Sequence, residues 1–539
     1  WNKGGVWSFN SLEGFLQAGP VGTGITVALP GSNNRRSLRQ TFLALYLQDE
    51  YKLHPRLQLN LGVRYEYATL VKDLYEKMVY IEDVLRDTSV QVGRYVDENP
   101  GGSFSPRIGM TWSPWTSRST VLSAGFGIYY DPILGNVISQ RKSSQPFHNI
   151  AVKPNFDASS VFPNAVAAGA GVPAQVQIMD YKNTTLPTVL RYHVSLQQPL
   201  AGWRVQASYV GARGNHLFRR FEGNQFPLPE TRADGSLFFP PQCPAAGSAE
   251  IPLPGCRAYA GPINPAFAAI SITPTDAQSF YNSLQLSAGR SLSGGASVQG
   301  SYTFSKSVDD NSTGVMGNMG QYAWMRTMER GLSDFDLRHR LSANYFYALP
   351  FGGGQRWASS GWLSQLIGGW RLGGIMSVRS GAPFSVSVRL RNKGYLFEAL
   401  RPNLAAGANN NPVEGASLGC GQIQPGQKLE APDLYFDPCA FSAPAPGTPG
   451  NLGRNTLISP AVFNMDVSLQ REFLLDSKRR LQFRADLFNV PNRTNFNKNI
   501  GNSIIVFSGE NASRTTTAGR IGSTATTSRQ IQFALRLSF

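Results

Sequence analysis

Charge is scarce in this chain: Asp, Glu, Lys and Arg make up 16% of its 539 residues, where about a quarter is ordinary. Long apolar runs are missing as well. The long uncharged stretch Ala158 to Met179 is broken by Pro163 and Pro173 and diluted with Ser, Asn, Gln and Gly, which excludes a membrane-spanning helix there. The opening, "WNKGGVWSF", has neither an initiator Met nor an apolar core followed by a cleavage site, so it reads as a cut rather than a start. Basic residues are in excess and give a formal net charge of +16, yet they are scattered with no compact basic run. That argues against a nucleic-acid partner and fits solvated arginines that line an interior or meet anionic lipid.

Signatures of catalysis and metal binding are also lacking. The five histidines, His54, His148, His193, His216 and His339, lie far apart, and none sits in a serine-nucleophile frame. His193 and His339, on strands, read as polar wall residues, and no enzyme is expected. "DDNSTG", Asp309 to Gly314, matches the first half of a calcium loop, but its twelfth position is Gly320 where a bidentate Glu is needed. It reads as a turn-forming loop start. No Cys-x-x-Cys is present for zinc, Gly352 to Gly354 marks a turn, and no metal or cofactor is expected. The four cysteines fall as two close pairs, Cys243 with Cys256 and Cys420 with Cys439. Local disulfides stapling two long loops in an oxidising compartment are the favoured reading; free thiols and the other connectivities stay open.

What is present is alternation. "LQLNLGVRYEY" puts Leu57, Leu59, Leu61, Val63, Tyr65 and Tyr67 on one face and Gln58, Asn60, Arg64 and Glu66 on the other, the two-residue period of a strand with one polar side. The pattern returns in "FNMDVSLQREF", "ASVQGSYTFS", "NSLQLSAGR" and the terminal "RQIQFALRLSF", in segments of about 10 residues, the length a tilted strand needs to cross a bilayer. Short connections (Lys52 to Arg56, Pro114 to Arg118, Ala201 to Gly202, Ser291 to Gly295, Leu474 to Ser477) alternate in strict order with long ones such as Leu70 to Gly101, Pro132 to Thr185 and Gly381 to Ser459. The expected fold is therefore all-β: a transmembrane, antiparallel, up-and-down β-barrel of about 14 strands, with periplasmic turns and long outer loops. Parity runs the last strand inward and places Phe539 at the periplasmic rim. Trp112, Trp115 and Trp203 near turns, and Tyr65, Tyr67, Tyr129 and Tyr130 near long loops, are read as interfacial girdles.

The ordered series "LALYLQDEYKLHPRLQLNLGVRYEY", "SPRIGMTWSPW", "GFGIYYDP", "YVGARGNHL", "SYTFSKSVDD", "SDFDLRHRLSANYFYALPFG" and "FRADLFNVPNRTNF", with the closing Phe539, resembles the C-terminal barrel of TonB-dependent outer-membrane receptors. Within that family it resembles the Oar-like proteins with an N-terminal carboxypeptidase-regulatory-like domain. The similarity runs from about Leu38 to Phe539, through a series of motifs. It implies a 22-stranded barrel around an N-terminal plug, so that residues 1–539 are read as the C-terminal part of the wall, with the plug and the first strands outside this chain. It also implies, as partners, outer-membrane lipid and lipopolysaccharide, the protein's own plug, the TonB complex and the barrel-insertion machinery. Phe533, Leu535, Leu537 and Phe539 match the family's assembly signal.

The expected function is uptake of a scarce ligand across the outer membrane of a Gram-negative-type cell; the ligand is not written in the sequence. Arg64, Glu66, Arg204, Gln206, Arg371, Arg484 and Asp486 face the lumen by alternation and are candidates for holding the plug or lining the path. A passive porin-like channel and a surface adhesion or assembly protein are the alternatives.

Overall fold

The computed structural model describes residues 6–9, 12–17, 21–29, 31–116, 119–139, 141–153, 174–224, 229–240, 262–292, 295–314, 320–322, 325–355, 357, 360–390, 400–415, 423–429, 432–476, 478–498, 504–509 and 512–539. Fourteen strands form its main sheet, thirteen of them in one continuous path, with the two-residue strand Gly331–Leu332 paired beside it. Numbered in chain order, the path is β1 (Phe42–His54), β2 (Leu57–Ala68), β3 (Gly102–Trp112), β4 (Val121–Tyr130), β5 (Thr188–Leu200), β6 (Trp203–Phe218), β7 (Thr275–Leu292), β8 (Ala296–Asp309), β9 (His339–Ala348), β10 (Trp370–Arg379), β11 (Val462–Leu474), β12 (Arg480–Phe488) and β13 (Gln530–Ser538). Each strand pairs antiparallel with its sequence neighbour, as an up-and-down wall requires. Among the described residues β1 and β13 do not pair with each other, so the sheet has two free edges.

Tight turns lie on one rim. Ala201 and Gly202 link β5 to β6 with φ of 49° and 82°, the paired positive φ of a two-residue turn whose twist matches the flanking strands. The strict alternation of short and long connections breaks once on this rim. Residues 349–369, between β9 and β10, hold a helix, Gly361–Ile367, with Trp362 and Leu366 exposed on it. Its C-terminal carbonyls, at Gln365 and Leu366, accept from the Arg471 guanidinium of β11, which suits the negative end of a helix. The strands also outgrow the expected length: β6 has 16 residues and β7 has 18, because both continue beyond the membrane span on the loop side.

The long connections collapse on the other rim into a folded cap. Phe239, Tyr322, Phe384, Phe436, Phe441, Leu457 and Phe507, from the loops after β6, β8, β10 and β12, share one buried cluster. Two smaller clusters join the loops after β2, β4 and β6. The loop backbones approach closely here: a Cβ on Gly381 would lie 1.5 Å from the Ser459 carbonyl oxygen, so only glycine fits where β10 enters its loop.

Leu45, Leu47, Ile108, Val194, Leu196, Leu284, Leu286 and Phe304 are exposed on the apolar face of the wall. Such a continuous belt is too large for a water-facing surface and is what lipid covers. Leu286 of β7 stands opposite Ala207 and Tyr302 on the same face. It lies six residues from the end of its strand, and at ~3.3 Å per residue and a tilt of about 40° this is roughly 15 Å from the turn rim, near mid-bilayer. Leu286→Arg is expected to destabilise the wall by about 2–4 kcal/mol, read as a lower urea midpoint for loss of heat-modifiable migration. Arginine at Ser287, on the polar face, should leave that midpoint nearly unchanged.

Candidate functional site

Register carries the polar face from strand to strand. Glu66 stands opposite Ser103, and Arg64 opposite Ser105. Gln197, Gln206, Ser287 and Ser301 form one row, and Arg371, Gln470 and Arg484 form another. All seven residues proposed from alternation, Arg64, Glu66, Arg204, Gln206, Arg371, Arg484 and Asp486, lie on this face. They fall in separate patches. Arg64 Nε donates to Glu66 Oε1 at 2.8 Å and Arg484 Nε to Asp486 Oδ1 at 2.8 Å, each pair two residues apart along one strand. Gln206 Nε2 donates to Ser208 Oγ at 3.0 Å, and Gln482 reaches Gln470 across the β11–β12 ladder at 3.4 Å. A cavity of about 880 Å³ is bordered by Arg204, Gln206, Gln299, Asp466, Arg484 and Asp486, from strands as far apart as β6 and β12. The polar face is therefore the concave one.

Tyr129 corrects the girdle assignment. Its ring sits 4.7 Å from the Arg107 guanidinium and 5.2 Å from that of Arg191, so it is held on the polar face by cation–π contact, while Tyr130 takes the apolar one. His339 is placed by aromatic neighbours: its Nδ1 shares a 2.7 Å hydrogen bond with Tyr302 Oη, and Phe304 packs at 5.2 Å.

The calcium-like stretch is differently employed. Asp309, at the loop end of β8, takes the Arg454 guanidinium and the Ser312 hydroxyl on its carboxylate, and Asp310 takes Arg326 at 2.7 Å. Arginine thus supplies the positive charge that a cation would bring. Among the described residues no group of three or more His, Cys, Asp or Glu is arranged to hold a metal. Burial pushes the Asp310 carboxyl up, against the pull of the Gln278 amide and Arg326.

Around these acids the loops form a charged lock that the sequence did not reveal. Arg454 donates to the Asp309 carbonyl at 2.7 Å, the Glu329 carbonyl at 2.7 Å and Ser312 Oγ at 3.2 Å. Arg401, 4% exposed, donates from one Nη to both oxygens of Glu329 at 3.1 and 2.9 Å, and from its other nitrogens to the Met328 and Leu452 carbonyls. Asp309, Asp310, Asp334 and Asp336 all lie within quoted motifs, which was the available signal. Asp310 and Asp336 pair with the nearby Arg326 and Arg338, but the Arg454 that answers Asp309 and Asp334 comes more than a hundred residues later, and no local spacing announces it. Cys439 is disulfide-bonded and buried in the cap; Cys243, Cys256 and Cys420 lie outside the described residues.

An antiparallel wall with a polar concave face, an apolar outer belt, turns on one rim and a loop cap on the other defines a membrane β-barrel wall of the outer-membrane type. The chain belongs to the outer membrane beta-barrel domain family, whose model matches residues 5–532, and it is an integral outer-membrane protein. Among solved structures it is similar to the outer membrane transporter YddB from Escherichia coli (12% identity, TM-score 0.46, covering 93% of this chain and 45% of that one). It is also similar to the ferripyoverdine receptor of the Pseudomonas aeruginosa outer membrane (11%, 0.41, 93% and 39%) and to the unliganded ferric citrate transporter FecA (10%, 0.40, 94% and 46%). The chain spans less than half the length of each. No curated protein matches it.

Proposed function

We propose that this chain is the C-terminal wall of a TonB-dependent transporter that takes up a scarce ligand across the outer membrane, in the manner of the Oar-like receptors its motifs resemble. The observation that carries the reading is the polar concave face between two free edges. β1 and β13 both run from the loop rim to the turn rim, so closing them on each other would make a parallel seam. An antiparallel cylinder needs an odd number of further strands between them, and a total of 22 leaves roughly nine. Free strand edges are not tolerated in hydrocarbon, which favours such strands. The Arg64–Glu66 and Arg484–Asp486 pairs are then contacts for a plug or a lining for the path opened when TonB pulls it.

The folded loop cap is what favours the second reading, surface adhesion. Cells carrying the full-length protein should accumulate its ligand only when TonB is intact, with binding at the surface retained when TonB is deleted. Uptake indifferent to TonB would replace this reading with passive conduction, and cell attachment without uptake would replace it with adhesion.

A further inference from the structure

A small sheet within the loop cap lies beside a buried guanidinium, that of Arg141, without a counter-charge. It is built from Ala174–Met179, Phe267–Thr273 and Phe221–Glu222. One face, with Val176, Ile178, Phe221, Ile270 and Ile272, is buried in an apolar cluster. On the other, Ser271 stands opposite both Gln177 and Glu222, and Thr273 follows on the same side. Arg220 Nε donates to Ser271 Oγ at 2.7 Å. Ser144 Oγ bonds the Gln177 amide and carbonyl at the sheet's free edge, and also the Arg141 carbonyl, which ties Arg141 to the same place.

Arg141 is 8% exposed, and its Nε has no hydrogen-bond partner. Its side chain makes no ion pair among the described residues. Burial, and with it the like charge of Arg220, pushes the guanidinium down to about 10. Glu222 does not compensate it. That carboxylate is held by the Asn224 and Ile270 amides at 3.0 and 2.6 Å, and its charge acts on Arg220. Thr273 Oγ1, fully buried, is a second polar atom there without a partner. By contrast Arg36, which crosses to the Lys142 carbonyl nearby, is paired with Asp73. A buried guanidinium without an anion is costly, and buried polar groups are ordinarily satisfied.

We infer that Arg141 and Arg220 form an oxyanion site within the loop cap, taking a carboxylate or phosphate group. The source of that group is a small anionic solute captured from outside, or a carboxylate from elsewhere in the full-length protein. Its role in capture rests on the transport reading; the binding does not, and the test reads binding without uptake.

Amide exchange is followed in the full-length protein in detergent, over residues 141–147, 174–179 and 267–273. Citrate and inorganic phosphate are the probes, with chloride at equal ionic strength as reference. A solute site slows exchange roughly tenfold at ten times the probe's dissociation constant, and Arg141→Met abolishes the response. An internal carboxylate leaves the wild type indifferent to both probes, and Arg141→Met then speeds exchange. If the wild type ignores both probes and Arg141→Met leaves exchange unchanged or slower, the site is refuted. Should Arg141→Met fail to assemble, Arg220→Gln takes its place.

Discussion

Replacing Arg454 with alanine is expected to release the loop cap while leaving the wall intact. The guanidinium ties the β10–β11 loop to three points of the β8–β9 connection: the Asp309 carboxylate and carbonyl at the end of β8, Ser312 just beyond it, and the Glu329 carbonyl before β9. Asp309 is 3% exposed. Alanine leaves that carboxylate buried with only Ser312 to answer it, and removing one partner of a buried pair costs about 3–5 kcal/mol. At about 1.4 kcal/mol per factor of ten, amide exchange in Gly331 to Asp336 and Gly450 to Ser459 should quicken by roughly a hundredfold or more. Heat-modifiable migration should not change, since the wall's ladder bonds are untouched and local opening need not spread. Arg454→Lys should fall between, because an ammonium keeps the charge but loses the planar fork that reaches four acceptors. Exchange at the wild-type rate in Arg454→Ala would show that the lock holds nothing together.

The wall was legible because a two-residue period is a local signal: Leu57 to Tyr67, Phe463 to Leu469 and Ile531 to Phe539 each state their own two faces, and register extends them around the sheet. Strand order followed from connection lengths. The failures came where chemistry is non-local or a residue type is ambiguous. Tyr129 and Tyr130 are adjacent and identical; alternation with Phe126 and Ile128 turns Tyr130 to the apolar face, and the arginines of neighbouring strands then hold Tyr129 on the polar one. Residues 349–369 carry Gly352 to Gly354, a strong turn signal, and it masked the helix that follows. For the candidate site, alternation placed all seven polar-face residues, yet the Arg401–Glu329 and Arg454–Asp309 pairs span 72 and 145 residues. Arg141 gave no signal at all, since what marks it is the absence of a partner.

Deleting Phe539 is expected to leave the protein unassembled in the periplasm, with the heat-modifiable outer-membrane form reduced at least tenfold. β13 is held on one side only, by nine register pairs to β12 from Arg480–Ser538 to Phe488–Gln530. Its apolar residues Ile531, Phe533, Leu535 and Leu537 are all exposed, and Phe539, 95% exposed, ends the row. Gln532 and Arg536 stand on the other face, opposite Asp486 and Gln482. Burying an exposed ring in the membrane interface is worth about 1.5–3 kcal/mol, too little on its own to decide whether a whole wall inserts. The large effect expected therefore lies in recognition: a free edge strand offers unpaired backbone to the insertion machinery, and the terminal ring fixes where along that edge docking begins. Two variants separate these contributions. Phe539→Trp keeps an interfacial aromatic and should insert normally, whereas Phe539→Leu keeps most of the apolar area and should insert poorly. If Phe539→Leu inserts like the wild type, burial alone explains the residue. Normal insertion after deletion would remove the assembly signal from this strand and leave β13 as a closing strand, awaiting a partner at the edge that β1 does not fill.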